Sequence, residues 1–175
     1  MHFDSFKEMG RVLERYVSKE KCAVVDIGSQ LIVGLGLQKT YRDLMKPGWD
    51  YLGIDIVESV NVDIVMKGNL IPIGDDCIDV VISGQCLEHC DNPFSLVKEM
   101  ARITKINGFV IITAPWSQGR HLDVDRWRFL PQGFKSLFDY AGLKCVDVYL
   151  NQTYKYKVGN KDKEKHLDCW GIGRK

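Results

Sequence analysis

Apolar positions along the chain change period several times, and each change marks an element. Phe6, Met9, Val12, Leu13, Tyr16 and Val17 recur at helical spacing, and Ser5 to Glu8 has capping-box spacing. This predicts a helix within residues 1–20 that packs on or caps the core. Cys22 to Gly28 is then a continuous apolar run interrupted only by Asp26. Continuous rather than alternating apolarity predicts a strand covered on both faces, as in a parallel sheet. Leu37 to Lys46 reads as a helix stopped by Pro47-Gly48. Tyr51 to Ile56, Val62 to Val65, Ile78 to Ile82 and Phe109 to Thr113 read as further strands. Asn92-Pro93 opens a helix carrying Phe94, Leu96, Val97, Met100 and Ile103 on one face, and Asn107-Gly108 is its expected stop. Pro131 opens another, with Phe134, Leu137, Phe138 and Ala141, ended by Gly142. Cys145–Leu150 and Leu167–Ile172 are the last two strands, expected to pair as an antiparallel hairpin. The lysine-rich stretch from Tyr154 to Lys165 is read as their solvated loop.

Seven strands alternating with helices predict an α/β fold with a mostly parallel sheet. There is no internal repeat and no interdomain linker, so residues 1–175 are expected to form one domain. Hydrophobic residues are 45% and charged residues 27% of the chain, an ordinary globular balance. Twenty-four Lys and Arg against 23 Asp and Glu leave a net charge of +1, which selects neither nucleic acid nor an acidic membrane. No apolar run reaches the ~20 residues of a membrane span. The opening Met1-His2-Phe3-Asp4 lacks a secretory pattern. A cytoplasmic setting is expected, and a homodimer is compatible with the sequence. The six cysteines include no Cys-x-x-Cys pair. Cys86, His89 and Cys90 have ligand-like spacing but no fourth ligand, so no metal is expected.

In an open α/β sheet, ligands bind beyond the carboxyl ends of the strands. Two of the predicted strands end on an acid, Asp26 and Asp55. Gly28 beside the first allows close backbone approach, and a carboxylate at the second strand end suits the two hydroxyls of a ribose. A helix cap or turn acid is the plainer role for either residue. Gly34-Leu35-Gly36 has the start of a dinucleotide fingerprint, but Lys39 occupies the place of its third glycine. Gln38-Lys39-Thr40 lacks the glycine of a phosphate loop.

The order Val24-Val-Asp-Ile-Gly28-Ser29, Tyr51-Leu-Gly-Ile-Asp55, Asn61 to Val65, Ile71-Pro72-Ile73, Asp79 to Ser83, Leu87-Glu88-His89 and Lys105 to Phe109 resembles the class I S-adenosylmethionine-dependent methyltransferases. More narrowly it is similar to the methyltransferase type 11 group. Tyr41-Arg42 and His121 to Pro131 resemble the signature of one subset. The resemblance covers roughly residues 20 to 145. It implies a Rossmann-like seven-stranded sheet in the order 3-2-1-4-5-7-6, with the last strand antiparallel and helices on both faces. It also implies S-adenosylmethionine as cofactor, with S-adenosylhomocysteine as product. Asp26, Gly28, Ser29 and Gln30 match the loop holding the methionine part. Asp55 matches the ribose acid, with Ile56 beside the adenine. Asn69 and Leu70 lie where the family frames that ring, and Ser83, Gly84 and Gln85 lie beside the reacting methyl. Gln30 replaces a family glycine, and Lys67 stands where an acid often meets the adenine amine.

A sulfonium methyl is already activated, so positioning supplies much of the rate and a base is needed only for some acceptors. His121 and His89 are the candidate bases. Trp116, Asp125, Trp127 and Arg128 are candidate acceptor contacts; core or lid packing is the competing role for the tryptophans. The expected function is methyl transfer to oxygen or nitrogen of a small or glycan-linked acceptor, with no nucleic acid partner. Two rivals stand beside it: a catalytically silent binding or scaffold subunit, favoured by Gln30 and Lys67, and a nicotinamide-dependent oxidoreductase, disfavoured by the incomplete fingerprint.

Overall fold

The computed structural model describes residues 3–32, 38–117, 119–120, 122–151, 154–158, 161–165 and 168–175. The continuous apolar runs become β1 (Cys22–Ile27), β2 (Trp49–Asp55), β3 (Ile64–Val65), β4 (Ile78–Gly84) and β5 (Thr104–Pro115). β6 (Lys144–Leu150) and β9 (Asp168–Arg174) complete a seven-stranded sheet in the order β3-β2-β1-β4-β5-β9-β6. Counting only the strands of this sheet, that is 3-2-1-4-5-7-6. β1, β2, β3, β4 and β5 run parallel to one another, and β9 runs antiparallel to both β5 and β6. All seven residues of β4 are buried, in keeping with a largely apolar strand that only Asp79 and Ser83 interrupt before its final glycine.

Helix α1 (Phe3–Tyr16) lays Phe6, Met9, Val12, Leu13 and, just past its end, Val17 on one face of the sheet, against Val24, Val80, Ile82, Ile111, Trp170 and Ile172. Helices α2 (Pro93–Ile103) and α3 (Pro131–Ala141) cover the opposite face with Leu96, Val97, Met100, Phe134, Leu137 and Phe138. The Asn92 side chain accepts from the Ser95 N–H at 3.0 Å, the N-cap its position before Pro93 foretells. Gly142, at φ +75°, closes α3.

Three expectations need correction. The helix expected over 37–46 is, in the described part, a single 3-10 turn, Tyr41–Leu44, closed on itself by Thr40 and Asp43. Its one buried residue is Tyr41. α2 ends at Ile103 rather than at Asn107-Gly108, because Thr104 already pairs with Ile78 as the start of β5. The stretch expected to be a solvated loop pairs antiparallel as β7 (Tyr154–Val158) and β8 (Lys161–Lys165), a two-stranded sheet of its own. Its Tyr-Lys-Tyr-Lys-Val alternation has the period of a strand.

Strand order reverses at β1, which has β2 on one side and β4 on the other. The crevice over their carboxyl ends is where this topology places a ligand. No helix among the described residues is long and apolar enough to cross a membrane.

Candidate ligand cleft at the carboxyl ends of β1, β2 and β4

Two backbone hydrogen bonds shape the turn after β1. The Gly28 and Ser29 N–H groups both donate to the Ile54 carbonyl, at 2.8 and 3.2 Å, and Gly28 adopts φ +82°. A Cβ on Gly28 would lie 2.4 Å from the Cys86 Cβ and 2.6 Å from its Sγ, so only glycine fits here. Asp26, two residues earlier within β1, is 2% exposed. Its Oδ2 accepts from the Tyr51 hydroxyl at 2.6 Å, while Oδ1 is buried with no hydrogen-bond partner among the described residues. Burial pushes this carboxyl up to about 7, against the Tyr51 hydrogen bond that pulls it down; the nearby Asp55 adds to the rise.

Tyr51 is held in turn by Asn61, whose side-chain amide donates to the Tyr51 hydroxyl at 3.0 Å and to the Ser29 carbonyl at 2.8 Å. Arg42 donates to the Asn61 side chain at 3.0 Å, pairs with Asp63 at 2.5 Å and lies 4.4 Å over the Tyr51 ring. This chain of hydrogen bonds holds the Asp26 carboxyl through Oδ2.

Asp55 takes the plainer of the two roles open to it in sequence, that of a turn acid. Its Oδ1 accepts from the Ile56 and Val57 N–H groups at 2.7 and 3.2 Å, and Oδ2 from the Gln30 N–H at 3.0 Å. It is a turn acid that ties the β1 and β2 loops together. A carboxylate has about four lone-pair sites, so capacity remains for hydroxyl donors. Gln30 contributes through its backbone and exposes its side chain, so the loop does without the family's glycine. Ile56 and Leu70 are 61% and 69% exposed beside this turn and β3, apolar surface of the kind a flat ring covers. Asn69 donates to the Asn92 carbonyl at 3.2 Å.

At the end of β4, Ser83 is buried and donates to the Ile27 carbonyl at 2.7 Å, joining β4 to β1. A Cβ on Gly84 would lie 2.2 Å from the Tyr41 hydroxyl oxygen. Gln85 sits at φ +58°, rare for a non-glycine residue, with its N–H on Thr113 and its side-chain amide 2.8 Å from Asp168. The Ser5 hydroxyl, on α1, donates to the same Asp168 carboxylate. α1 and β9 therefore both reach the rim of the cleft.

The 3-10 turn Leu87–His89 carries the segment that follows β5. The Glu88 carbonyl accepts from the Arg126 and Trp127 N–H groups at 2.7 and 3.2 Å, and the Cys90 carbonyl accepts from the Trp127 indole at 2.8 Å. The Asp125 carboxylate is buried and pairs with Arg128 through both oxygens, at 2.5 and 2.7 Å. His89 Nδ1 bonds to the Val124 carbonyl, which can only accept, so Nδ1 carries a proton, and Nε2 lies 3.7 Å from a Glu88 carboxyl oxygen. Trp116 is half-buried against the apolar core beside α2 and α3. His121 lies outside the described residues.

Four residues of this cleft were missed as site residues in the sequence: Tyr41, Asn61, Glu88 and Asp168. Glu88 is fully buried, and among the described residues neither carboxyl oxygen has a hydrogen-bond partner beyond its own backbone. Burial, with Asp168, Asp125 and Cys90 nearby, pushes it up to about 8. Tyr41 and Glu88 had a signal, since both belong to motifs that carried the resemblance. Asn61 and Asp168 become visible only through their partners. Among the described residues no group of three or more His, Cys, Asp and Glu side chains is arranged to hold a metal.

Residues 31–112 match the family described as a methyltransferase domain. An uncharacterized methyltransferase of Mycobacterium leprae is 31% identical over 61 residues, 35% of this chain and 23% of that protein. The chain thus spans about a quarter of the length of this curated relative. Among solved structures, the 1,6-didemethyltoxoflavin-N1-methyltransferase of Burkholderia thailandensis, with 1,6-didemethyltoxoflavin and S-adenosylhomocysteine bound, superposes with a TM-score of 0.72 at 16% identity, covering 98% of this chain and 78% of that one. A methyltransferase of Archaeoglobus fulgidus described as SAM-dependent gives a TM-score of 0.66 at 17% identity, over 97% and 94% of the two chains.

Proposed function

From a chain whose residues 31–112 match the methyltransferase domain family, on a seven-stranded sheet of order 3-2-1-4-5-7-6, we propose an S-adenosylmethionine-dependent methyltransferase acting on oxygen or nitrogen of a small or glycan-linked acceptor. The observation that carries this reading is Asp26: a buried carboxyl with one unpartnered oxygen, beside a glycine turn that backbone alone can occupy. Such an oxygen suits the ammonium of the cofactor's methionine part. Asp55 is the proposed acceptor for the ribose hydroxyls. Ile56, Asn69 and Leu70 are proposed to flank the adenine, and Gly28, Ser29 and Gln30 to line the methionine part. When bound, the cofactor supplies a methyl group on a positively charged sulfur.

The chain's own residues then position and deprotonate the acceptor. Ser83, Gly84 and Gln85 end the strand beside the proposed transfer point. His89, whose ring is oriented by the Val124 carbonyl, is proposed to take the acceptor's proton, with His121 as the second candidate. Trp116, Trp127 and the Asp125–Arg128 pair are proposed to wall the acceptor pocket, since the segment bearing the last three docks on the turn that holds His89. Six free thiols support a reducing, cytoplasmic setting. The whole chain as one domain, without nucleic acid as partner, remains part of the proposal.

Calorimetric titration separates this reading from its rivals. S-adenosylhomocysteine is expected to bind and NAD is expected to give no heat. Asp55→Ala is expected to weaken S-adenosylhomocysteine by about 1.5–3 kcal/mol, because ribose donors lose a charged acceptor. An unchanged dissociation constant in that variant removes Asp55 from the site, and heat from NAD alone favours the oxidoreductase.

A further inference from the structure

One cluster singled out by its spacing is absorbed neither by the cofactor site nor by the acceptor wall: the cysteines on either side of the turn Leu87–His89. Cys86 Sγ and Cys90 Sγ lie 4.0 Å apart, the one thiol–thiol contact among the described residues. Both side chains are partly buried, neither sealed off nor freely exposed. We propose that Cys86 and Cys90 form an oxidative modification site, in which a peroxide converts the pair to a disulfide and so distorts the Gly28 turn.

The chemistry balances without a metal. The Cys90 thiolate attacks the peroxide O–O bond, forming a sulfenic acid and releasing water once the leaving oxygen is protonated. The Cys86 sulfur then displaces the sulfenic oxygen, which leaves as a second water with the Cys86 proton. Two thiols are oxidised to one disulfide and one hydrogen peroxide is reduced to two waters. Hydrogen bonding from Cys86 lowers the Cys90 thiol, which is the direction an attacking sulfur needs, while Cys86 itself is raised. Burial pushes Cys22 up to about 11 and Cys169 up to about 12, and it raises Cys145, so these remain inert thiols.

The link to the cleft is steric. A disulfide draws two sulfurs from contact distance to about 2.05 Å. Cys86 packs so closely on Gly28 that a Cβ there would lie 2.4 Å from the Cys86 Cβ. Moving the Cys86 side chain therefore moves the surface on which that turn rests. The same closure constrains the turn bearing Glu88 and His89, which holds the 122–129 segment. The effect on ligand binding rests on the cofactor reading given above; the disulfide itself does not.

The test uses the full chain with hydrogen peroxide as the probe, read by intact mass, peptide mapping and titration with S-adenosylhomocysteine. The expected result is loss of the mass of two hydrogens, with Cys86 linked to Cys90. Cys86→Ser is expected to show no such loss and to gain oxygen at Cys90 instead. A link to any other cysteine, persistence of the loss in Cys86→Ser, or oxygen on Cys90 without a link in the parent chain overturns the site. The oxidised chain is expected to bind S-adenosylhomocysteine at least about fivefold more weakly than the reduced chain, with recovery on reduction. Equal binding by the two forms overturns the coupling to the Gly28 turn. A disulfide that forms in a chain that binds no S-adenosylhomocysteine in either state supports the modification and sinks the cofactor reading.

Discussion

At pH 8.5 the Glu88→Gln variant is expected to melt several degrees above the parent chain, and at pH 5 the two are expected to melt together. Glu88 is fully buried, 3.7 Å from His89 Nε2 and close to Asp168, Asp125 and Cys90, with the Asp125-bound Arg128 as the nearby cation. Its carboxyl is raised from 4.5 to about 8 in the folded chain, chiefly by burial. The folded state therefore keeps a proton that the unfolded state releases. Ionisation favours unfolding progressively as pH rises from the unfolded value toward the folded one, the reverse of a salt-bridged acid. Each unit of difference is about 1.4 kcal/mol, so a loss of about 2–4 kcal/mol by pH 8.5 is expected. For a chain of this size that corresponds to roughly 5–15 °C. Glutamine keeps the shape and removes the charge. Scanning calorimetry of both chains at the two pH values checks this, and equal melting at pH 8.5 means that a cation compensates Glu88 in solution.

The second large effect concerns Gly28. Gly28→Val is expected to destabilise the chain by about 2–5 kcal/mol: about 1–2 from a left-handed conformation forced on a β-branched residue and about 1–3 from overpacking against Cys86. S-adenosylhomocysteine affinity is expected to fall with it, since the same turn is proposed to face the ligand. Because Val fails for two reasons, Gly28→Ala paired with Cys86→Gly separates them. Removing the Cys86 side chain takes away the atoms that a Cβ would meet at 2.4 and 2.6 Å and leaves only the φ of +82°. The double variant is expected to recover more than half of the Gly28→Ala loss in denaturant unfolding. Strict additivity of the two changes contradicts the packing account.

The sheet was legible because strands covered on both faces write themselves as largely apolar runs, and Cys22–Ile27 and Ile78–Gly84 are such runs, broken only by Asp26, Asp79 and Ser83. The order of the strands came from the motifs between them, not from periodicity. The 37–46 segment misled because Leu37, Tyr41 and Leu44 fit a helical spacing that a single 3-10 turn satisfies equally over four residues. What decides between them is tertiary: Tyr41 fills the space over Gly84, and no local pattern announces that. Asp26 and Asp55 were found because an acid at the end of an apolar run is conspicuous. Glu88 was visible only as part of a motif, since its burial depends on the Arg126–Trp127 backbone folding over the turn from 38 residues away. The clamp on His89 by Val124 was equally invisible, because a backbone carbonyl has no sequence signature.

The central claim is that Asp26, buried with one oxygen free, waits for a cation. Titration of S-adenosylhomocysteine at pH 6 and pH 8, with the parent chain and Asp26→Asn, tests it most directly. The free carboxyl lies up at about 7, so at pH 6 it is mostly protonated and must release that proton to pair with the ligand's ammonium. Affinity is therefore expected to rise roughly tenfold from pH 6 to pH 8, with proton release at the lower pH. Asp26→Asn keeps an oxygen for Tyr51 but cannot ionise, and is expected to bind weakly with no such rise. No binding by the parent chain at either pH, or the same pH dependence in Asp26→Asn, contradicts the account.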